Sequence, residues 1–295
     1  MHLSTHNWMR AEPLETTVRR IKQYGYESIE ISGEPDQYDV ADTRALLKDT
    51  GMRCWGAVTL MLEERNLAAK DEAQRAASIQ YVKDVVTMVS DLDGEIITLV
   101  PATVGKVVPD GTPDEEWGWM VEATKECFDH AWAKGVKIAI EPLNRFETYF
   151  FNRCAQALAL ADAVSPHCGV CLDAFHLNIE EEDMYDAIRL AGDRLFDFHV
   201  ADNNRFAAGL GALDWPKIVA TLKEVGYDGA LTNEFVAPVD RTPAAPYPDM
   251  VETSPVDISP EQLKFIEDHG SSVLSESFYA DQMRITAETL LPLIK

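Results

Sequence analysis

The chain has 295 residues, of which 46% are hydrophobic and 26% charged, values that exclude a disordered chain or a small disulfide-stapled scaffold and leave room for one large globular domain. Fifty Asp and Glu against 26 Lys and Arg give a net charge of −24 with no basic stripe, which excludes a nucleic-acid-binding face. No apolar run approaches the roughly 18 residues of a membrane span, and the opening MHLSTHNWMRAEP lacks the pattern of a signal peptide, so a cytoplasmic location without membrane contact is expected.

Eight short apolar runs follow one another along the chain. They are MHLST (1–5), SIEIS (28–32), RCWGAVT (53–59), EIITLV (95–100), KIAIE (137–141), VCLD (170–173), LFDFHV (195–200) and ALTNE (230–234). Between them lie segments with helical spacing, such as Ile79, Val82, Val86 and Val89, Leu158 to Val164, and Trp215 to Val225. Glycine-containing returns, YGYES, DTGMR, AKGVK and VGYDG, read as helix ends followed by strands. Strand and helix alternating eight times predict parallel strands with crossover helices, and the closed form of that pattern is an α/β fold, a single (β/α)8 TIM barrel spanning 1–295. An open doubly wound sheet is the competing architecture, but the first strand leads into HNWMRAEP and not into a Gly-rich dinucleotide turn. Two long loops are expected at strand C-termini, one over 101–117 and one after the eighth strand over 235–262, before a closing helix. The five cysteines are expected to be reduced, and CGVC (168–171) runs into an apolar strand, which does not lower a thiol pKa as a redox pair requires.

Four successive strands finish on a potential metal ligand: Glu141, Asp173, His199 and Glu234. Successive members are separated by one β-α unit, so the four side chains are expected to meet at the C-terminal end of the barrel. Ionised groups gathered there repel one another unless a cation holds them. Three carboxylates and one imidazole suit one divalent metal ion, Mn²⁺ foremost and Mg²⁺ or Co²⁺ as alternatives, better than a structural zinc. Asn144, Arg145 and Glu147 follow Glu141, His176 follows Asp173, and Arg205 follows His199. On the other half, His6, Trp8, Glu30, Glu34 and Trp55 are placed at or just past strand ends, the two tryptophans being read as barrel packing. A metal with several donors and a few aromatics suits a polyhydroxylated ligand.

The stretches EPLNRFETYFFNR, CLDAFHLNIEEED, FHVADNNRFAAGLGALDW and GYDGALTNEF resemble the signature segments of xylose-isomerase-like barrels that include the ketose 3-epimerases. The resemblance is closest over 135–236 and colinear before that. It implies that Glu141, Asp173, His199 and Glu234 bind one divalent metal and that Glu141 and Glu234 also act as the acid–base pair. It further implies that Glu147, His176 and Arg205, with Asn144 and His6 nearby, hold a keto-sugar substrate. EISGEPDQYD, CWGAVTLMLEERNL and the Pro-rich segment after Glu234 depart from the epimerase pattern. Over its whole length, including HNWMRAEP, PATVGKVVPDGTPDEEW and ESFYADQMRITAETL, the chain resembles more closely the catalytic α subunits of bacterial C-glycoside deglycosidases. That likeness implies cleavage of the carbon–carbon bond of a 3-oxo-C-glycoside, together with a small β-sandwich partner subunit and a higher oligomer. Both readings share one first step, removal of a proton from carbon beside a ketone.

Overall fold

A computed structural model of the chain describes residues 1–240, 242–251 and 274–295. Its strands are β1 (His2–Thr5), β2 (Ser28–Ser32), β3 (Arg53–Val58), β4 (Ile96–Leu99), β5 (Lys137–Ile140), β6 (Gly169–Asp173), β7 (Leu195–Val200) and β8 (Ala230–Asn233). They pair in parallel in the order β1-β8-β7-β6-β5-β4-β3-β2. The two end strands are joined by a parallel bridge between His6 and Glu30 and by the Glu27 N–H donating to the Leu3 carbonyl at 3.0 Å. The result is the expected (β/α)8 barrel.

Around the sheet lie α1 (Leu14–Gln23), α2 (Val40–Thr50), α3 (Glu72–Asp91), α4 (Pro113–Lys134) and α5 (Cys154–Val164), then α6 (Ala174–Glu180), α7 (Met184–Ala191), α8 (Trp215–Glu224) and α9 (Glu276–Ile294). Because both faces of a parallel barrel are covered, the strands read as nearly continuous apolar runs, and their side chains alternate between the interior and the helical layer. On β5, Ile138 and Ile140 belong to the large core between sheet and helices, whereas Ala139 joins Trp55, Ile96, Cys171 and Ala230 in a separate apolar cluster inside the barrel. All five cysteines are buried free thiols, and burial pushes Cys168 up to about 12 and Cys171 higher than its ordinary value, so CGVC is packing.

Helix ends follow local chemistry. Gly51 closes α2 at φ 65° and Gly135 closes α4 at φ 74°, the left-handed conformation that a side chain resists. The loop expected over 101–117 is shorter than the sequence reading placed it. Thr112 and Glu115 form a reciprocal capping box that starts α4 at Pro113, so PDEEW is helix. What remains is pinned, with the Gly105 N–H donating to the Glu147 carbonyl at 2.6 Å and both the Asp110 N–H and the Tyr149 hydroxyl donating to Glu116 at 2.7 Å. Of the loop expected over 235–262, residue 241 and residues 252–262 lie outside the described residues. Helix α9 closes the chain against β1 and α1, with the Tyr26 hydroxyl donating to the Met283 carbonyl at 3.0 Å.

Two positions differ from the expectation. Glu30 and Trp55 are inside β2 and β3 and not at strand ends, because the period of two that points Ser32 inward at the top also turns Glu30 inward one layer below. Trp55 sits at the N-terminal end of the barrel, 5.2 Å from the His2 ring in an edge contact. No helix among the described residues is long and apolar enough to cross a membrane.

A Cβ built on Gly56 would lie 2.0 Å from the Ile96 carbonyl oxygen, so β3 and β4 approach closely only because this residue has no side chain. Gly56→Ala is therefore expected to cost about 3 kcal/mol or more. Urea unfolding checks this, with a lowered midpoint at unchanged slope as the predicted outcome.

Candidate metal centre

The four strand-end residues converge. Glu141 immediately follows β5, where its N–H donates to the Leu99 carbonyl at 2.9 Å, and Glu234 follows β8, donating to the Val200 carbonyl at 3.0 Å. Asp173 and His199 are register partners on β6 and β7. One ligand atom from each of the four lies within 4.8 Å of the others, and all four residues are buried. Nδ1 of His199 faces this group, 3.1 Å from Glu234 Oε2 and 3.3 Å from Glu141 Oε1. Asp173 divides its oxygens: Oδ1 accepts from the N–H groups of Phe175 at 2.6 Å and His176 at 3.0 Å, capping α6, while Oδ2 has no hydrogen-bond partner. Glu141 Oε1 is likewise without one.

Electrostatics state the same mismatch. Burial, reinforced by the Glu234 charge, pushes the Asp173 carboxyl well above the usual carboxylate range, and burial raises Glu141 against the opposing pull of His199. Burial also opposes the charge on Glu234 and on His199, but their mutual attraction and the neighbouring carboxylates win, lowering Glu234 and raising His199. Carboxylate oxygens buried without donors are costly unless a proton or a cation meets them. The donor set of three carboxylates and one imidazole nitrogen therefore fits a divalent cation with oxygen preference.

A second ring of polar groups stands beside the cluster. The backbone N–H of Asn144 reaches His176 Nδ1 at 3.3 Å and its side-chain amide reaches the same nitrogen at 2.9 Å. Because a backbone N–H can only donate, His176 Nδ1 is the acceptor and its proton sits on Nε2. Burial, with Arg205 adding to it, holds His176 well below the usual histidine range, so the ring is neutral. The Asn144 amide also donates to Glu147 Oε1 at 2.8 Å, and Arg205 donates to that same oxygen at 2.9 Å. Arg205 lies over the Phe175 ring at 4.5 Å and has a positive φ of 63°, stabilised by its N–H donating to the Asp202 carbonyl at 2.8 Å. Arg145 points elsewhere, pairing with Glu180 at 2.8 Å.

A cavity of about 560 Å³ opens onto these groups. Glu141, Glu234, Glu147, His176 and Arg205 line it, and its remaining wall is largely apolar, including Trp8, Leu60, Met61, Val100 and Val104. Of the substrate-binding candidates two do not line it, and neither do the ligand candidates Asp173 and His199. Asn144 is buried behind Glu147 and His176 and positions both. His6 lies behind Glu234, 3.9 Å from Oε1, and burial with the neighbouring His199 lowers it to about 3, so the contact is neither an ion pair nor a hydrogen bond. Glu34 is engaged with Arg65 at 2.7 Å. Asp197 had no place in the sequence reading, yet it is fully buried beneath the cluster. A larger concavity of about 710 Å³, lined by parts of α1 and α2, contains none of the ligand groups found among the described residues.

The model of one family, described as xylose isomerase-like TIM barrel, matches residues 18–268. The chain is 31% identical over 227 residues to D-psicose 3-epimerase of Agrobacterium fabrum, an alignment covering 74% of this chain and 77% of the relative. It is 27% identical over 231 residues to the 3-dehydro-D-guloside 4-epimerase of Escherichia coli, covering 73% and 84%. Among solved structures, D-allulose 3-epimerase from Methylomonas sp. superposes with a TM-score of 0.81 at 24% identity, over 99% of this chain and 97% of that one.

Two outcomes test the centre. Asp173→Asn leaves an amide that offers a weaker ligand, so Mn²⁺ affinity measured by calorimetry is expected to fall about 10-fold or more, with unchanged affinity contradicting the assignment. The raised carboxyls of Asp173 and Glu141 must lose their protons before they ligate, so the sign is fixed: affinity rises with pH, and binding releases protons. Titration in two buffers of different ionisation enthalpy checks the release.

Proposed function

Starting from the membership of this chain in the xylose isomerase-like TIM-barrel family, we propose that it catalyses divalent-metal-dependent proton exchange beside the ketone of a sugar, as a ketose 3-epimerase. The observation that carries the reading is the placement of Glu141 and Glu234 on separate strands, in one buried cluster, both lining the same cavity. Two carboxylates so placed can address one carbon from different sides. Their environments also differ, Glu141 being held toward its protonated form by burial and Glu234 toward its ionised form by His199 against burial. Two carboxylates on separate strands suit one member taking a proton while the other gives one. A bound divalent cation, with Mn²⁺, Mg²⁺ and Co²⁺ as candidates, would supply neutralisation of the negative charge that develops at the ketone oxygen.

The remaining lining groups have assignable tasks. His176 presents Nε2–H, and Arg205 presents a guanidinium fixed by Glu147 and Phe175, so donors are held rigidly where sugar oxygens would lie. Glu147 spends one oxygen on Asn144 and Arg205 and keeps the other for a hydroxyl. His176 is buried and Arg205 nearly so, which strengthens their contacts, while Glu147 stays partly exposed.

The comparisons favour this epimerase reading over the carbon–carbon lyase reading drawn from whole-chain resemblance. One structural observation keeps a 3-oxo-glycoside in contention as substrate. A free ketose carries oxygen on every carbon, whereas much of the cavity wall, including Leu60, Met61, Val100 and Val104, offers none. A glycoside with an apolar aglycone would cover that wall. On this second reading the pair of the broken C2–H bond forms a C1–C2 double bond as the C1–aglycone bond breaks, and the aglycone carbon leaves with that bond's pair and takes up a proton. This reading also carries the β-sandwich partner subunit.

A proton NMR time course in D₂O decides between them, using Mn²⁺-loaded protein, D-fructose and a 3-oxo-C-glucoside, with an EDTA control. Deuterium entering C3 of fructose with a new ketose appearing is the expected result. Release of free aglycone with fructose untouched would replace it by the lyase reading, and EDTA-insensitive turnover would remove the metal from both. Glu234→Gln is expected to lower turnover about 10²- to 10⁴-fold. Near-normal turnover in that variant would exclude Glu234 as an acid–base group.

A further inference from the structure

Glu30 and Asp197 have no task in the proton exchange proposed above, yet both are completely buried inside the barrel. They belong to β2 and β7, strands that are not neighbours, and they meet across the interior beneath His199. Glu30 Oε2 lies 3.3 Å from His199 Nε2, and Asp197 Oδ2 lies 3.7 Å from the same nitrogen. On the opposite edge of the ring, Nδ1 faces Glu141 and Glu234. The imidazole is thus a partition, with Glu30 and Asp197 at its Nε2 edge and the carboxylates of the cluster at its Nδ1 edge.

The lower pair is differently fixed. Asp197 accepts from Thr98 Oγ1 at 3.2 Å, a bond spanning the barrel from β4, and from the Phe198 N–H at 2.9 Å. Neither oxygen of Glu30 accepts a hydrogen bond of good geometry, and His199 Nε2 likewise has no aligned partner. The 3.3 Å contact between them is longer than a full hydrogen bond, and Glu30 and Asp197 are the carboxylates that face that nitrogen. Carboxylates in a packed interior cost several kcal/mol each unless something compensates. An imidazole that ligates through one nitrogen carries its proton on the other, and a carboxylate facing that proton fixes both tautomer and ring orientation.

We propose that Glu30, seconded by Asp197, is a positioning residue that holds His199 with its proton on Nε2 and so presents Nδ1 to the cation. The inference rests on the reading of His199 as a metal ligand. It assigns a role to two buried acids that touch neither substrate nor metal. Replacing Glu30 by Gln keeps an acceptor oxygen toward Nε2, whereas Met fills a similar volume without one.

The test has two readouts besides activity. In ¹⁵N–¹H correlation spectra of Mg²⁺-loaded protein, His199 is expected to be protonated at Nε2 and not at Nδ1, and the opposite tautomer would overturn the proposal. Mn²⁺ affinity, measured by competition with a chelator, is expected to stay near wild type in Glu30→Gln. It should fall about 10- to 100-fold in Glu30→Met, with thermal melting checking that the variant is folded. Equal affinity in wild type and Glu30→Met would overturn the positioning role. So would two Mn²⁺ per chain with one lost in Glu30→Met, which would make Glu30 a ligand itself. A wild-type protein that binds no divalent cation, or an Asp173→Asn variant that binds as tightly as wild type, would instead overturn the metal-centre reading, so the two failures are separable.

Discussion

The constraint on which the molecule depends is the burial of three carboxylates and an imidazole within 4.8 Å of one another at one end of a barrel. All four are buried, and the oxygens Glu141 Oε1 and Asp173 Oδ2 receive no donor from the protein. Only protons or a cation can balance such a group. The architecture makes the arrangement obligatory, since each ligand sits at the end of its own parallel strand and the strands cannot slide without breaking the sheet. Fold and candidate site are joined at that point: the register that aligns Asp173 with His199 would set the geometry around a bound cation.

From that centre outward, each shell serves the one inside it. Asp173 spends one oxygen on the first turn of α6 and thereby aims the other inward. The helix it caps carries His176, whose tautomer is set by Asn144, and Asn144 in turn steadies Glu147 against Arg205. Arg205 accepts a positive φ of 63° to reach its place over Phe175. Such strain persists only where surrounding contacts over-determine the residue, and the Asp202 and Val236 backbone bonds on either side of Arg205 do so.

The barrel was legible in the sequence because strands buried on both faces leave continuous apolar runs, and the glycine-marked helix ends separate them. The four metal-site candidates were legible because each is the last charged or imidazole side chain of such a run. What escaped was the polar layer beneath. In SIEIS and LFDFHV, alternation of polar and apolar residues reads as an outer solvent face, but in a closed barrel the polar face is the interior, and Glu30 and Asp197 meet there across non-adjacent strands. Distance along the chain gave no hint of that encounter. His6 was placed with the substrate groups for a related reason, since position at a strand end does not tell whether Glu234 stands in front of it. The capping box at Thr112 was present in the letters TPDE and was masked by the Pro and Gly around it.

One divalent cation is expected in the space among Glu141, Asp173, His199 and Glu234. Anomalous diffraction from crystals soaked in Mn²⁺, recorded at a wavelength where that ion scatters anomalously, tests it most directly. A single strong peak is expected, with His199 Nδ1 and one oxygen from each carboxylate at about 2.0–2.2 Å. A peak elsewhere, ligation through His199 Nε2, or an empty cluster in protein that has taken up the metal would contradict it.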